Sequence, residues 1–213
     1  MLVVGVGSRK NSSGDHCTAV TYNGVSLTLA VRYNDWYATT DYREISIWLL
    51  AGPATGANTV SVTMNSCVSF VGVSTSYTGV NQSSTKDASA TAAFYSGGTK
   101  TVNITTVADN CWIAAIGYAI ASSGYVTISG TQTGRASSNT YSIQEILIED
   151  TNAAQTPAGS KTVGESMTGG SLTSCYLGAV SFAPAAAVAS ASVGIVGDGL
   201  TGHAGPLSKG LIG

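Results

Sequence analysis

From Thr18 to Arg32 the chain reads Thr-Ala-Val-Thr-Tyr, then Asn-Gly, then Val-Ser-Leu-Thr-Leu-Ala-Val-Arg. In the second run Val25, Leu27, Leu29 and Val31 point one way, and Ser26, Thr28, Ala30 and Arg32 the other. That period of two belongs to a half-buried strand, not to a helix. Asn23-Gly24 tolerates the positive φ of a tight turn, so the stretch predicts a hairpin.

The same pattern predicts strands at Leu2–Val6, Arg43–Leu50, Thr59–Met64, Cys67–Tyr77 and Thr101–Val107. Further strands are expected at Tyr125–Ser129, Ser142–Glu149, Lys161–Met167 (a weak one) and Cys175–Phe182. Cys111–Ala121 is nearly continuously apolar, as a central strand packed on both faces would be. Gly7–Gly14 reads as a polar loop and Tyr33–Tyr42 as an aromatic one. Gly79–Gly98 is the longest polar interval, interrupted only by Ala92–Tyr95. About a dozen short strands without a helix predict one all-β domain over residues 1–184, a β-sandwich of jelly-roll type.

Composition narrows the function. Charged residues make up 9% of the chain, against about 25% in an ordinary soluble protein, so the surface is wetted mainly by Ser, Thr and Asn. A net charge of −2 gives no basis for neutralising phosphates, and no nucleic-acid partner is expected. Nothing resembles a secretory leader, and no apolar run is long enough to span a bilayer, so no membrane role is expected. Cys17, Cys67, Cys111 and Cys175 permit three complete pairings. None forms the close Cys-x-x-Cys pair of a zinc site. Cys111 and Cys175 each open an apolar run and read as small buried hydrophobes. No metal or other cofactor is called for.

Convergent catalytic groups are scarce. His16 sits between Asp15 and Cys17 in a polar loop, and His203 lies near the C-terminal end. Adjacent residues alone do not build a Cys-His nucleophilic pair, which needs both side chains on one substrate. Glu145 and Glu149 would share a strand face about 13 Å apart, wider than glycosidase carboxylate pairs, and read as a solvated edge. Gly197-x-Gly199-x-x-Gly202 lacks the strand–helix context of a dinucleotide site. The chain therefore reads as non-enzymatic, with no catalytic residue assigned. Tyr33, Trp36, Tyr37 and Tyr42 form the one aromatic concentration. They suit packing at the sandwich end, a subunit interface, or stacking on sugar rings. Asn34, Asp35 and Asp41 beside them would bond hydroxyls or hold calcium.

Val20-Thr21-Tyr22-Asn23-Gly24-Val25-Ser26-Leu27-Thr28 resembles the opening hairpin of a β-sandwich domain of large bacterial surface proteins and some phage proteins. The resemblance continues through Ile47-Trp48-Leu49, Pro53-Ala54-Thr55-Gly56 and Gly79-Val80-Asn81-Gln82, and ends at Val180-Ser181-Phe182-Ala183-Pro184. It implies the sandwich fold and carries no activity.

Residues 185–213 change character: Ala, Ser and Val to Val193, then a glycine-rich stretch with Leu200, Leu207, Leu211 and Ile212. This reads as a linker and an extended arm with too little apolar surface for its own core. A stable sandwich with such an arm suits a symmetric homo-oligomer, and the four anchors would enter grooves on neighbouring subunits. The expected role is structural, within a bacteriophage virion, as a head decoration protein or a tail or fibre component. The competing expectation is a surface carbohydrate-binding or adhesion module, with a glycan as partner.

Overall fold

The computed structural model describes residues 1–186, apart from residues 39, 85, 141 and 142. The predicted all-β sandwich is what the chain forms: fifteen strands, with no helix among the described residues. In chain order these are β1 (Leu2–Lys10), β2 (Cys17–Tyr22), β3 (Val25–Ser26), β4 (Thr28–Ala38) and β5 (Asp41–Leu50). Then come β6 (Val60–Met64), β7 (Cys67–Ser76), β8 (Ala88–Phe94), β9 (Gly98–Thr106) and β10 (Trp112–Ala121). The set closes with β11 (Thr127–Gly130), β12 (Thr133–Thr140), β13 (Gln144–Asp150), β14 (Gly159–Thr168) and β15 (Leu172–Phe182).

Every pairing is antiparallel, and the strands form two main sheets and two smaller ones. The main sheets, β4-β5-β1-β7 and β12-β13-β10-β15-β8, enclose the central core. Val3, Ile45, Ile47 and Leu49 there meet Ile116, Tyr118, Ile146 and Tyr176. The three-stranded sheet β3-β2-β6 covers the outer face of the first main sheet, burying Leu2, Val4, Val20 and Trp48. Sheet β11-β14-β9 covers the second, burying Ile113, Ala115, Leu147 and Leu177. Strands β10 and β15 are therefore wet on neither face, which accounts for their near-continuous apolar sequence.

The hairpin at Asn23-Gly24 forms as predicted, with φ of 50° and 77° and Tyr22 opposite Val25. Beyond it the alternation is re-aimed. A bulge between Leu29 and Val31 turns Leu29 outward and buries Ala30, as an extra residue in one strand must. The expected loop at Tyr33–Tyr42 is instead the ends of β4 and β5. The expected polar interval contains β8, and β12 was not foreseen at all.

The two halves repeat one plan. β1 pairs with β5 and β7, β4 with β5, and β2 with β6; likewise β10 pairs with β13 and β15, β12 with β13, and β11 with β14. Bulges fall at equivalent places: Leu29/Val31 matches Gly134/Ala136, and Arg9/Lys10 matches Ile120/Ala121. In this register Glu44-Ile45-Ser46-Ile47 corresponds to Glu145-Ile146-Leu147-Ile148, Gly5 to Ile116, Gly7 to Tyr118, and Phe70 to Cys175. The halves meet with complementary sizes: a Cβ on Gly5 would lie 2.8 Å from Ile116 Cδ1, and one on Gly7 2.4 Å from Tyr118 Cδ2. The second half has two strands without a counterpart among the described residues of the first, namely β8 and β9.

Candidate functional site

The aromatic residues lie where β4 and β5 end, and the sheet splits them between its faces. Trp36 and Tyr42 are cross-strand partners on the face that also carries Glu44 and Trp48. Tyr33, Asp35 and Tyr37 point the other way, toward the second main sheet. There Tyr33 packs on Tyr176, ring centroids 6.0 Å apart. The Asp35 carboxylate accepts hydrogen bonds from Tyr95 Oη at 2.5 Å and from Tyr176 Oη at 3.5 Å. The first bond, with some burial, pushes the Tyr95 phenol up to about 12. The Arg43 guanidinium stacks on Tyr37 at 3.8 Å from its centroid and pairs with Asp41 at 2.7 Å, an acid that Arg9 also contacts. Burial alone would raise the Asp41 carboxyl, but the hydrogen bonds from Arg43 and Arg9 outweigh it and hold it below its ordinary value.

Trp36 is 62% exposed, Tyr95 57% and Tyr37 40%, so three rings stand open at this end while Tyr33 and Tyr42 are half-buried. Tyr95 belongs with the predicted aromatics, although it lies some sixty residues away in sequence. Asn34, Asp35 and Asp41, proposed together as hydroxyl or calcium ligands, do not converge. Asn34 bonds Asp15, Asp35 takes the two tyrosines, and Asp41 takes the two arginines. The arm residues Leu200, Leu207, Leu211 and Ile212, together with His203, lie outside the described residues.

His16 lies in the loop between β1 and β2 as expected, but it is fully buried there. Its Nδ1 lies 2.9 Å from Ser8 Oγ, and its Nε2 has no partner. The assembly looks like a hydrolase triad without working as one. Glu44 accepts the backbone N–H groups of His16 and Cys17, at 2.9 and 3.1 Å, instead of orienting the imidazole, which is the acid's task in a triad. Burial, with Lys10 and Arg32 nearby, pushes the imidazole down to about 4.

Glu145 and Glu149 are a correction: they are no solvated edge, because β13 turns both toward the second cover sheet. Glu145 accepts the N–H of Ile128 and Glu149 that of Gln132, at 3.1 and 3.0 Å. Glu44 and Glu145 are equivalent in the repeat, so a glutamate fastens a cover sheet onto a main sheet in each half. Glu165, from β14, is fully buried and neither of its oxygens is hydrogen-bonded. Burial first, and then the neighbouring Glu149 charge, push its carboxyl well above the ordinary range; burial pushes Glu149 up to about 7. Glu149 and Glu165 are fully buried, and Glu145 is half-buried.

All four cysteines are free, and Cys111 and Cys175 are buried as expected. Burial pushes the Cys17, Cys111 and Cys175 thiols up to about 11, which suppresses the reactive thiolate. A cleft of about 840 Å³ opens at the opposite end from Trp36, lined by Tyr22, Pro53, Asn58, Tyr77 and Gln82 among others. The described residues that line it include no Asp, Glu, His, Lys or Arg. No family model, characterised protein or solved structure matches this chain.

Proposed function

We propose that the chain is a non-enzymatic structural subunit of a symmetric assembly of identical copies, within a bacteriophage virion, as a head decoration protein or a tail or fibre component. The division between its inner and outer groups supports this reading. The side chains suited to chemistry (His16, Glu149, Glu165, Cys17) are enclosed, and Glu149 accepts the backbone N–H of Gln132. What faces outward is contact surface: Trp36, Tyr37 and Tyr95 at one end, with Val68, Phe70 and Tyr125 elsewhere. Aromatic anchors of this kind carry most of the energy of a protein interface. Residues beyond Pro184, with Leu200, Leu207, Leu211 and Ile212, supply further anchors. Each buried Leu or Ile contributes roughly 1.5–3 kcal/mol before ordering costs, so several are needed to hold.

Electron microscopy of the concentrated full-length protein tests the reading. Ordered, symmetric particles or filaments are expected; dispersed single copies at every concentration would contradict it.

One observation favours a second reading. The open rings of Tyr37 and Tyr95 flank the acceptor Asp35, a combination that suits a sugar ring and its hydroxyls. Glycan-array binding by the wild type that is lost in Tyr95→Ala and Tyr37→Ala would favour an adhesion module. Absence of binding leaves these rings to subunit contacts.

A further inference from the structure

Between the second main sheet and its cover, two carboxyl groups are shut in together. Glu165, on β14, fills the space that Gly117 leaves on β10, where an added Cβ would overlap Glu165 Oε2. Glu149, on β13, approaches from the other side, and a Cβ on Gly130 would overlap its Oε2. Gly130 is the cross-strand partner of Glu165, so the two acids share one stretch of the layer. Both are fully buried, and Glu149 Oε1 and both oxygens of Glu165 have no hydrogen-bond partner. Such a pair is tolerated as neutral acids, because burying an unpaired carboxylate costs far more than burying its protonated form.

No cation compensates them. None of the ion pairs among the described residues includes either acid. Lys100, across from Glu165 on β9, turns its Nζ to Ser96 Oγ at 3.2 Å and to the Phe94 ring. Lys161 stands four residues away on β14 itself, about 13 Å along the strand. From β13 come Glu145, which accepts the Ile128 N–H, and Asp150, which Arg135 of β12 holds. β15 adds the Cys175 thiol, and β8, β10 and β11 add no charged side chain. The first half is built differently. Glu44, which fastens the first cover sheet, accepts two backbone N–H groups and pairs with Arg32 at 3.3 Å, so its charge is compensated.

We propose that Glu149 and Glu165 form a proton-dependent latch on sheet β11-β14-β9. While both acids hold their protons the sheet stays docked on β10, β13 and β15; when they lose them it lifts, and the rest of the molecule stays folded. Opening hydrates the two carboxyls, and each then releases its proton to solvent. Burial pushes Glu149 up to about 7 in the closed molecule and Glu165 further, against 4.5 for a hydrated carboxyl. The open form therefore gains as pH rises above 4.5, by up to about tenfold per pH unit for each acid still protonated when closed. Cys175, Leu177 and Ala179 of β15 are fully buried beneath this sheet, so opening uncovers them. The latch is a property of the single chain and does not rest on its assembly.

Alkylation of the full-length protein with iodoacetamide, followed at each cysteine by mass spectrometry from about pH 6 to about pH 9, tests this. Each rate is divided by that of the same cysteine in the urea-unfolded chain at the same pH, which removes the titration of the thiol itself. Over this range Glu149 accounts for about tenfold and Glu165 for at least as much, so Cys175 should become at least about a hundredfold more reactive. Cys17, buried in the corresponding layer of the first half, should change by less than about threefold. Glu165→Gln should hold the Cys175 rise to about tenfold or less, and Glu149→Gln should also reduce it. The wild-type comparison of Cys175 with Cys17 decides the matter even where a variant does not fold. A Cys175 reactivity that does not change with pH would overturn the proposal. An equal rise at Cys17 and Cys175 would overturn it in favour of unfolding of the whole chain. A rise that neither substitution reduces would overturn it as well.

Discussion

Gly7 shows how finely the two halves fit. A methyl group there would sit 2.4–2.8 Å from three atoms of the Tyr118 ring, and that ring is fully buried with its hydroxyl bonded to Gln144 at 2.8 Å. Gly7→Ala should therefore destabilise by about 1–3 kcal/mol through overpacking, measured by urea unfolding. Glu165 and Glu149 predict a pH dependence. Each holds its proton more tightly folded than unfolded. The stability they contribute is complete below the ordinary value of 4.5 and is lost as pH rises, through about 7 for Glu149 and further for Glu165. His16 acts oppositely: with its pKa pushed from 6.5 to about 4, its contribution is present above 6.5 and lost as pH falls toward 4. Above 6.5 the His16 contribution is complete and the two glutamates are opposed by the Met1 amino group, which burial lowers from 8.0; with two carboxyls against one amine, the urea midpoint should fall toward about pH 8. Glu165→Gln should remove most of that slope and raise stability at the upper end by at least about 1 kcal/mol. An unchanged slope in the variant would contradict this assignment. None of this was legible in the sequence, because a buried glutamate and a wet one look alike on an alternating strand.

At the level of elements, legibility followed apolar alternation. The Asn23-Gly24 hairpin, β5, β10 and β15 are where their patterns put them. Strands β8 and β12 were missed because Ala, Ser and Thr fill both their faces, so no contrast marks a period. The aromatic stretch read as a loop because Tyr33, Trp36, Tyr37 and Tyr42 break simple alternation, and the bulge at Trp36/Ala38 is the reason. The bulge at Ala30 makes a further prediction. The alternation put Leu29 with the core, but it is exposed and Ile47 is fully buried. Leu29→Ala should cost under about 1 kcal/mol, and Ile47→Ala about 2–5 kcal/mol, by the same unfolding assay. Equal costs would mean that the bulge does not re-aim β4. The candidate site was half-legible: its Tyr33, Trp36, Tyr37 and Tyr42 are at one end, but Tyr95 and Tyr176 reach Asp35 only through the sheet pairing.

For the whole molecule, the repeat was invisible because equivalent positions have diverged in size so that the halves interlock. Gly5 answers Ile116 and Gly7 answers Tyr118, so likeness was lost where contact is closest. Glu44-Ile45 and Glu145-Ile146 survive because each glutamate fastens its own cover sheet. Among the described residues, His16, Glu149 and Glu165 are buried, and exposed apolar groups lie at the β4–β5 end (Trp36, Tyr37) and along β7 (Val68, Phe70). That distribution suits contact with further copies. Sedimentation velocity of the full-length protein against a version ending at Pro184 tests this account most directly. The full-length protein should form a discrete species larger than one chain, and the shortened one should sediment as a folded single copy. A full-length protein that remains a single copy at every concentration, or a shortened one that assembles equally well, would contradict it.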